Sequence, residues 1–230
     1  FSYEATAPIA LRTWEYTNGW APYRSADAQD IILRASVRQE PFANYSWAAQ
    51  TSGVTTTLYS VKAVSQTVGW AAGAAGVVRR TTDGGTTWVS VGGGRIGTTA
   101  AIYNIEALDA NTAFVTTSPA ATYIFRTTNG GTLWDTVFTQ VGGFIDGIKM
   151  VDANNGIALG DPVGGKWTIV RTTNGGASWT RDTVNAPLAI STETANQNGL
   201  CTFGSNYIWF GATLGGRVYR STNGGTTWTT

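Results

Sequence analysis

The nine residues Arg-Thr-Thr-Asp-Gly-Gly-Thr-Thr-Trp at positions 80–88 decide the fold of this chain, because close copies of them recur three more times. The copies are RTTNGGTLW at 126–134, RTTNGGASW at 171–179 and RSTNGGTTW at 220–228, which places successive tryptophans 46, 45 and 49 residues apart. A period in the forties, with turn residues between β-branched flanks, predicts one four-stranded β-propeller blade per repeat.

Each copy, called a box below, has the residues of a tight turn between the third and fourth strands of a blade. The Asp or Asn can bond the backbone of its own turn, and the glycines after it supply positive φ. The closing Trp is expected to enter the seam between blades, where its indole N–H can donate to a carbonyl. The residues assigned this structural role are Asp83, Gly85, Trp88, Asn129, Gly131, Trp134, Asn174, Gly176, Trp179, Asn223, Gly225 and Trp228.

The boxes and a second marker divide the chain into repeats of a single propeller domain, 1–230. VGWAAG at 68–73 resembles NGIALG at 155–160, and NGWAP at 18–22 extends the marker to the N-terminal part. We therefore expect an all-β fold of four-stranded antiparallel blades, five of them visible, forming a five-bladed ring or part of a six- to seven-bladed one. The predicted blades are 8–54, which is degenerate and lacks a box, and then 55–96, 97–142, 143–186 and 187–230.

The composition excludes most familiar chemistries. The 230 residues contain no histidine and one cysteine, so a Ser-His-Asp triad, an imidazole metal site and an internal disulfide are all ruled out. A net charge of +1 offers no field for nucleic acid. We expect no cofactor and no metal.

The location of the protein is predicted from composition alone. The longest nearly apolar run, residues 69–78, is too short to span a membrane. The first residues lack the features of a signal peptide, and a chain rich in threonine and glycine but poor in lysine is typical of proteins outside the cell. The sequence thus favours a mature extracellular or cell-envelope protein.

The boxes resemble the Asp-box (BNR) repeats of sialidases, sortilin-type receptors, some glycoside hydrolases and the photosystem II assembly and stability factor family. The run Arg-Thr-Thr-Asp/Asn-Gly-Gly-x-x-Trp, preceded by an Asn-Gly-Trp-Ala strand, is most similar to the last of these. The resemblance covers residues 55–230 well and 8–54 weakly. It implies a propeller with the boxes at the outer rim and says little about activity, since the box is structural.

The arginines that open the boxes are the first binding candidates. In the photosystem-assembly relatives an arginine patch is implicated in gripping a partner, and similar residues stand here. Their repetition in every blade favours a structural role instead, with each guanidinium stacked on a box Trp or bonded to its own hairpin. These arginines are Arg80, Arg126, Arg171 and Arg220.

An enzyme is the less favoured alternative. A sialidase is usually announced by an early Arg-Ile-Pro segment, whereas the only Arg-Ile here is Arg95-Ile96, followed by glycine. Other glycosidases need two facing carboxylates. Sequence gives no reason to pair any two of the available ones, which are Glu106, Asp109, Asp146, Asp152, Asp161 and Glu193.

The loops that differ between blades are the favoured binding region. In a propeller, the loops from second to third strands and the connections between blades share one face around the channel mouth, and variable loops on a rigid scaffold are common recognition sites. The residues predicted to bind there are Arg95, Asp161, Lys166, Trp167 and Glu193.

The sequence thus favours a non-enzymatic protein-interaction or assembly module. Two alternatives remain: a structural subunit of an extracellular assembly or filament, and a sialidase-like or other carbohydrate-active propeller. The expected partner is a protein or a glycan, or a second copy of the chain.

Overall fold

The computed structural model describes residues 21–24, 31–34, 48–97, 99–118 and 120–230. The chain divides into two compact units, residues 1–49 and residues 50–230. In the first unit, strands β1 (Ala21–Arg24) and β2 (Ile31–Arg34) pair as an antiparallel hairpin in which Ala21 lies opposite Arg34. The rest of the predicted first blade falls outside the described residues, apart from its last few positions.

The second unit consists of four antiparallel sheets, and it has the predicted all-β propeller architecture. Within each sheet the strands follow chain order, so every blade is a simple meander. The sheets comprise β3 (Leu58–Ala63), β4 (Gly69–Gly73), β5 (Val78–Thr81) and β6 (Val89–Ser90); β7 (Ile102–Ala107), β8 (Ala113–Thr117), β9 (Ala121–Thr127) and β10 (Asp135–Val141); β11 (Ile145–Met150), β12 (Gly156–Val163), β13 (Lys166–Thr172) and β14 (Thr180–Arg181); and β15 (Ala195–Phe203), β16 (Tyr207–Ala212) and β17 (Val218–Ser221).

The fourth strand varies most in length from blade to blade, from seven residues in β10 to a single bridge in the last sheet. It begins only after the box Trp, because the residues before the Trp are bound into the turn. It has two residues in the first and third sheets, and in the last sheet it is reduced to one bridge between Arg220 and Thr229. A short 3-10 turn, Ala74–Gly76, joins β4 to β5.

The hydrophobic core lies between the blades rather than inside any one of them. All five residues of β4 and of β8 are buried, which explains why apolar and polar residues do not alternate along these strands. One core cluster joins Trp70 of the first complete blade to Val115 and Trp134 of the next. The seams therefore supply most of the buried apolar surface that holds the unit together.

Two of the box Trp side chains, Trp134 and Trp179, reach across these seams, as the sequence predicted. The Trp134 indole N–H donates to the carbonyl of Val91 in the preceding blade at 2.8 Å, and the ring is fully buried. Trp179 packs edge-on against Phe114 of the preceding blade. Trp88 donates instead to the side chain of Gln50, at 3.0 Å. Trp228 donates to the Gly225 carbonyl of its own turn at 3.0 Å and packs against Phe210 of its own blade.

One buried oxygen organises each box turn. The hydroxyl of Thr127 accepts from the buried N–H of Gly131 at 2.9 Å and donates to Asn129 Oδ1 at 3.0 Å. Asn129 Oδ1 also accepts from the N–H of Leu133, four positions later. The same set of bonds occurs in all four boxes, with Thr81, Thr172 and Ser221 as the other hydroxyls.

The hydrogen bonds of the first box turn stabilise the ionised form of the Asp83 carboxylate. Hydrogen bonds from the Thr87 N–H and hydroxyl, and from the Thr81 hydroxyl, lower the pKa of Asp83 to about 2. The other boxes carry Asn, whose amide group donates to a hydroxyl where one is available, as Asn174 does to Ser178. Either residue type therefore suits the position.

No helix in the part of the chain that the structure describes is long and apolar enough to cross a membrane.

We predict that Thr127→Val lowers the free energy of unfolding by about 1–3 kcal/mol, since it leaves the buried Gly131 N–H without a partner. Thr127→Ser is expected to be nearly neutral, because Ser221 makes the same bonds in the last box. Urea unfolding of the three proteins measures the difference. Equal destabilisation by Val and Ser would contradict the role of the hydroxyl.

Candidate binding face

The strand order gives each blade two ends with different chemistry. The boxes and the turns between first and second strands lie at one end, because both follow an odd-numbered strand of the meander. The loops between second and third strands and the connections between blades lie at the other end, which we call the mouth face. The first end repeats closely from blade to blade, whereas the mouth face does not.

Three of the box arginines, Arg80, Arg126 and Arg171, contact the following blade, and Arg171 also pairs with Asp182 of its own blade. Arg80 lies 5.5 Å from the centre of the Trp70 ring and donates to the carbonyl of Ala110, in the next blade, at 2.7 Å. Arg80, Arg126 and Arg171 also lie beside Gly130, Gly175 and Gly225, respectively, each a box glycine of the following blade. The predicted structural role thus holds for these three, but the predicted partners are wrong: the stacked ring is not a box Trp, and the contacts cross the seam.

Arg220 is the exception among the four. It is exposed and lies 5.7 Å from the ring centre of Trp209, which is paired with it on the neighbouring strand just as Trp70 is with Arg80.

We expect Arg80→Ala to lower the free energy of unfolding by about 1–3 kcal/mol, because a charged hydrogen bond across a seam is lost together with its packing. The matched variant Arg220→Ala should change it by less than about 0.5 kcal/mol, as is usual for an exposed position. Thermal unfolding monitored by tryptophan fluorescence compares the two. Similar losses in both variants would refute the seam role of Arg80.

An aromatic ladder lies on the mouth face and crosses three blades. Tyr59 and Tyr103 are stacked with ring centres 5.2 Å apart, and Tyr103 meets Phe144 at 4.8 Å. All three lie at or just before the start of the first strand of a blade, which we call the inner strand, and Tyr59 and Tyr103 lie at bulges. Tyr59 is 41% exposed, and the other two are half-buried, so the ladder offers rings to solvent.

Two carboxyls lie close together next to the ladder. Asp146 occupies the bulge of β11, and Asp161 lies in β12 with its backbone N–H bonded to the carbonyl of Phe144 at 2.9 Å. Burial and then the charge of Asp161 raise the pKa of Asp146 to about 7. Burial also raises the pKa of Asp161, against the opposing effect of a 3.0 Å hydrogen bond from the Ala195 N–H.

Glu193 has a structural role in holding the long connection into β15. Its carboxylate accepts from Arg217 Nε at 2.6 Å, from the Tyr219 hydroxyl at 2.7 Å and from the Ile190 N–H at 2.8 Å. Burial alone would raise its pKa, but these bonds hold the pKa below the usual value. With its oxygens so engaged and only 3% of the residue exposed, Glu193 is poorly placed to bind a partner directly.

The other predicted binding residues have different environments. Trp167 is fully buried within β13 against Phe210 and Tyr219, so it is not the loop residue that the sequence suggested. The Lys166 ammonium donates to the carbonyls of Thr183 and Val184. Arg95 is exposed in the connection after β6. Of the predicted set, Asp161 and Arg95 are left with side chains available to a ligand.

The remaining candidate carboxylates are used within the fold. Glu106 pairs with Lys62, while Asp109 and Asp152 accept from the backbone of their own turns at the opposite end of the blades. Sequence reasoning missed the ladder, although an aromatic residue near the start of three successive inner strands was a detectable signal. It could not have revealed the proximity of Asp146 and Asp161, which depends on a bulge.

The raised pKa of Asp146 predicts a pH-dependent stability. A carboxyl whose pKa is about 7 in the folded state and near 4 when unfolded destabilises the protein as pH rises through that interval. Asp146→Asn should therefore gain stability relative to the parent between pH 4.5 and 7.5, by at most about 1.4 kcal/mol per pH unit. Urea unfolding at both pH values tests this, and a constant difference would disprove it.

Comparison with known proteins identifies the family. The family model described as photosynthesis system II assembly factor YCF48 matches residues 43–161, just over half of the chain. The chain belongs to the YCF48 family. A comparison with curated protein sequences gives no match.

Solved structures support the fold. YCF48 from Cyanidioschyzon merolae is 19% identical with a TM-score of 0.54, over 76% of this chain and 56% of that one. An ancestral GH74 enzyme is 23% identical with a TM-score of 0.58, over 81% of this chain but only 25% of that one. A structure described as YCF48 bound to D1 peptide is 14% identical with a TM-score of 0.48, over 81% of this chain and 84% of that one. The likeness to the first two, whose identities lie below 25%, shows the propeller fold alone.

The family corrects the predicted location. An extracellular or cell-envelope protein is wrong, because the family is that of photosystem II assembly factors, which belong to the thylakoid lumen and chloroplast.

Proposed function

We propose that this chain is a non-enzymatic assembly factor that binds a protein subunit of photosystem II through its mouth face. The observation that carries the proposal is the match of the assembly-factor family over residues 43–161. The chemistry of the chain agrees with it: without histidine it has neither a triad nor an imidazole metal centre.

The two ends of the blades support the choice of the mouth face. At the box end, two donors already bond the following blade: Arg80 donates to the carbonyl of Ala110, and the Trp70 indole donates to that of Asp109. At the mouth face, by contrast, the rings of the ladder are partly exposed and Asp161 is only half-buried. Rigid blades are suited to recognition where their exposed aromatic and charged side chains are not bonded to neighbouring blades.

A carbohydrate-active propeller is the competing function. Similarity to GH74 structures motivates it, and the close carboxyls Asp146 and Asp161 are the residues on which it would depend. An acid with a raised pKa next to a second carboxyl is also found in glycosidases. The two functions predict different results in the same preparation.

The test is retention of photosystem II polypeptides. Tagged chain immobilised on resin and exposed to detergent-solubilised thylakoid membranes should retain them, and a D1-derived peptide serves as a direct probe by calorimetry. The double variant Tyr59→Ala/Asp161→Asn should lose at least tenfold in affinity, because it removes a ring and a charge from the mouth face. The control Tyr207→Ala/Asp152→Asn alters the same residue types at the opposite end and should bind normally.

Two results would overturn the proposal. One is failure of the parent chain to retain any photosystem II polypeptide. The other is release of reducing sugar from xyloglucan by the parent but not by Asp146→Asn, which would instead establish the carbohydrate-active alternative.

A further inference from the structure

We propose that the mouth face recognises an extended peptide segment in which a basic side chain lies next to an apolar or aromatic one. The basic group would bind at Asp161, and its apolar neighbour would lie on the ladder of Tyr59, Tyr103 and Phe144. This inference rests on the proposed function, since it names the chemistry of the partner that the same face would bind.

The acidic half of the site consists of Asp146 and Asp161, which form no ion pair within the described part of the chain. The ion pairs recorded there are Lys62–Glu106, Arg171–Asp182 and Arg217–Glu193, none of which involves Asp146 or Asp161. Asp146 is only 4% exposed, and its Oδ2 has no hydrogen-bond partner among those residues. A buried carboxyl oxygen without a partner is costly, and a nearby cation would relieve that cost.

The neighbouring basic side chains are already engaged. Lys166 is held by the carbonyls of Thr183 and Val184, and Arg217 is held by Glu193. Lys166 begins β13, which pairs with the strand of Asp161, and Arg217 precedes β17 of the next blade. Neither cation is available to pair with Asp161.

A cavity provides space for that ligand next to the carboxylate. It has a volume of about 540 Å³, and its lining includes Asp161, Glu193 and the hydroxyl residues Ser191, Thr192 and Thr194, together with Gly143. Polar hydroxyls and a half-buried carboxylate suit an ammonium or guanidinium group better than an anion.

The aromatic half adjoins the cavity directly. Gly143, which lines the cavity, precedes Phe144, and Phe144 is joined to Asp161 by the 2.9 Å backbone bond. Aromatic faces attract both apolar side chains and cations. A basic residue bound at Asp161 would therefore leave its neighbour above Phe144 and Tyr103.

The experiment uses labelled twelve-residue peptides that differ at one central position, flanked by phenylalanine and leucine in a glycine-serine background. The central residue is Lys, norleucine or Glu, and binding to the full chain is measured by fluorescence anisotropy. The Lys peptide should bind at least tenfold more tightly than the norleucine peptide, and the Glu peptide should be weakest.

Variants assign the two halves of the site. Asp161→Asn keeps an acceptor for the Ala195 N–H but removes the charge, so it should abolish the preference for Lys over norleucine. Tyr59→Ala should weaken all peptides. The matched control Tyr207→Ala should change nothing: Tyr207 is 40% exposed, like Tyr59, but lies at the opposite end of its blade.

Equal affinity for the Lys and norleucine peptides would overturn the inference, as would equal losses in Tyr59→Ala and Tyr207→Ala, or no peptide binding at millimolar concentration. These failures are separable from failure of the proposed function, because retention of photosystem II polypeptides is measured independently. A chain that retains those polypeptides but shows no preference for a basic residue would keep the function and lose the inference.

Discussion

The fold depends on a single buried hydroxyl oxygen in each box. In the second box the Thr127 hydroxyl accepts from the Gly131 N–H and donates to Asn129 Oδ1. Asn129 Oδ1 in turn accepts from the N–H of Leu133, the residue before Trp134. Because the turn is closed by side chains, its geometry is nearly independent of the strands around it. The closing Trp directly follows this turn, and in the second and third boxes it enters the seam with the preceding blade.

The seams turn that local regularity into a tertiary structure. Trp134 donates backwards to Val91, while Trp70 and Arg80 donate forwards to the carbonyls of Asp109 and Ala110. The seam between these two blades is thus bonded from both sides. The box glycines have a second purpose here, since the guanidinium of Arg80 occupies the space that a Cβ on Gly130 would need. Positive φ and close approach both require glycine at this position.

This use of the box end explains the division of labour along the blades. At the box end, Arg80, Trp70 and Trp134 bond neighbouring blades and are therefore not free to bind a partner. The mouth face is free to vary, and there the inner strands bring Tyr59, Tyr103 and Phe144 into contact across three blades. The unpaired charge of the Asp146–Asp161 pair lies at the end of this ladder, which is why we place recognition there.

The sequence by itself determined the repeat and the turn chemistry, because the bonds of each box turn join residues within about five positions of one another. It also identified Asp161 as a candidate. Only the tertiary structure decided which side chains are available to a ligand. It buries Trp167 of β13 against the next blade, bonds Glu193 to Arg217 and Tyr219, and directs Arg80 to the following blade. The ladder arises only when the first strands of different blades pack side by side, which joins residues about 40 positions apart. The carboxyl pair arises within one blade, where the bulge of β11 brings Asp146 close to Asp161 of β12, and the sequence does not reveal that bulge.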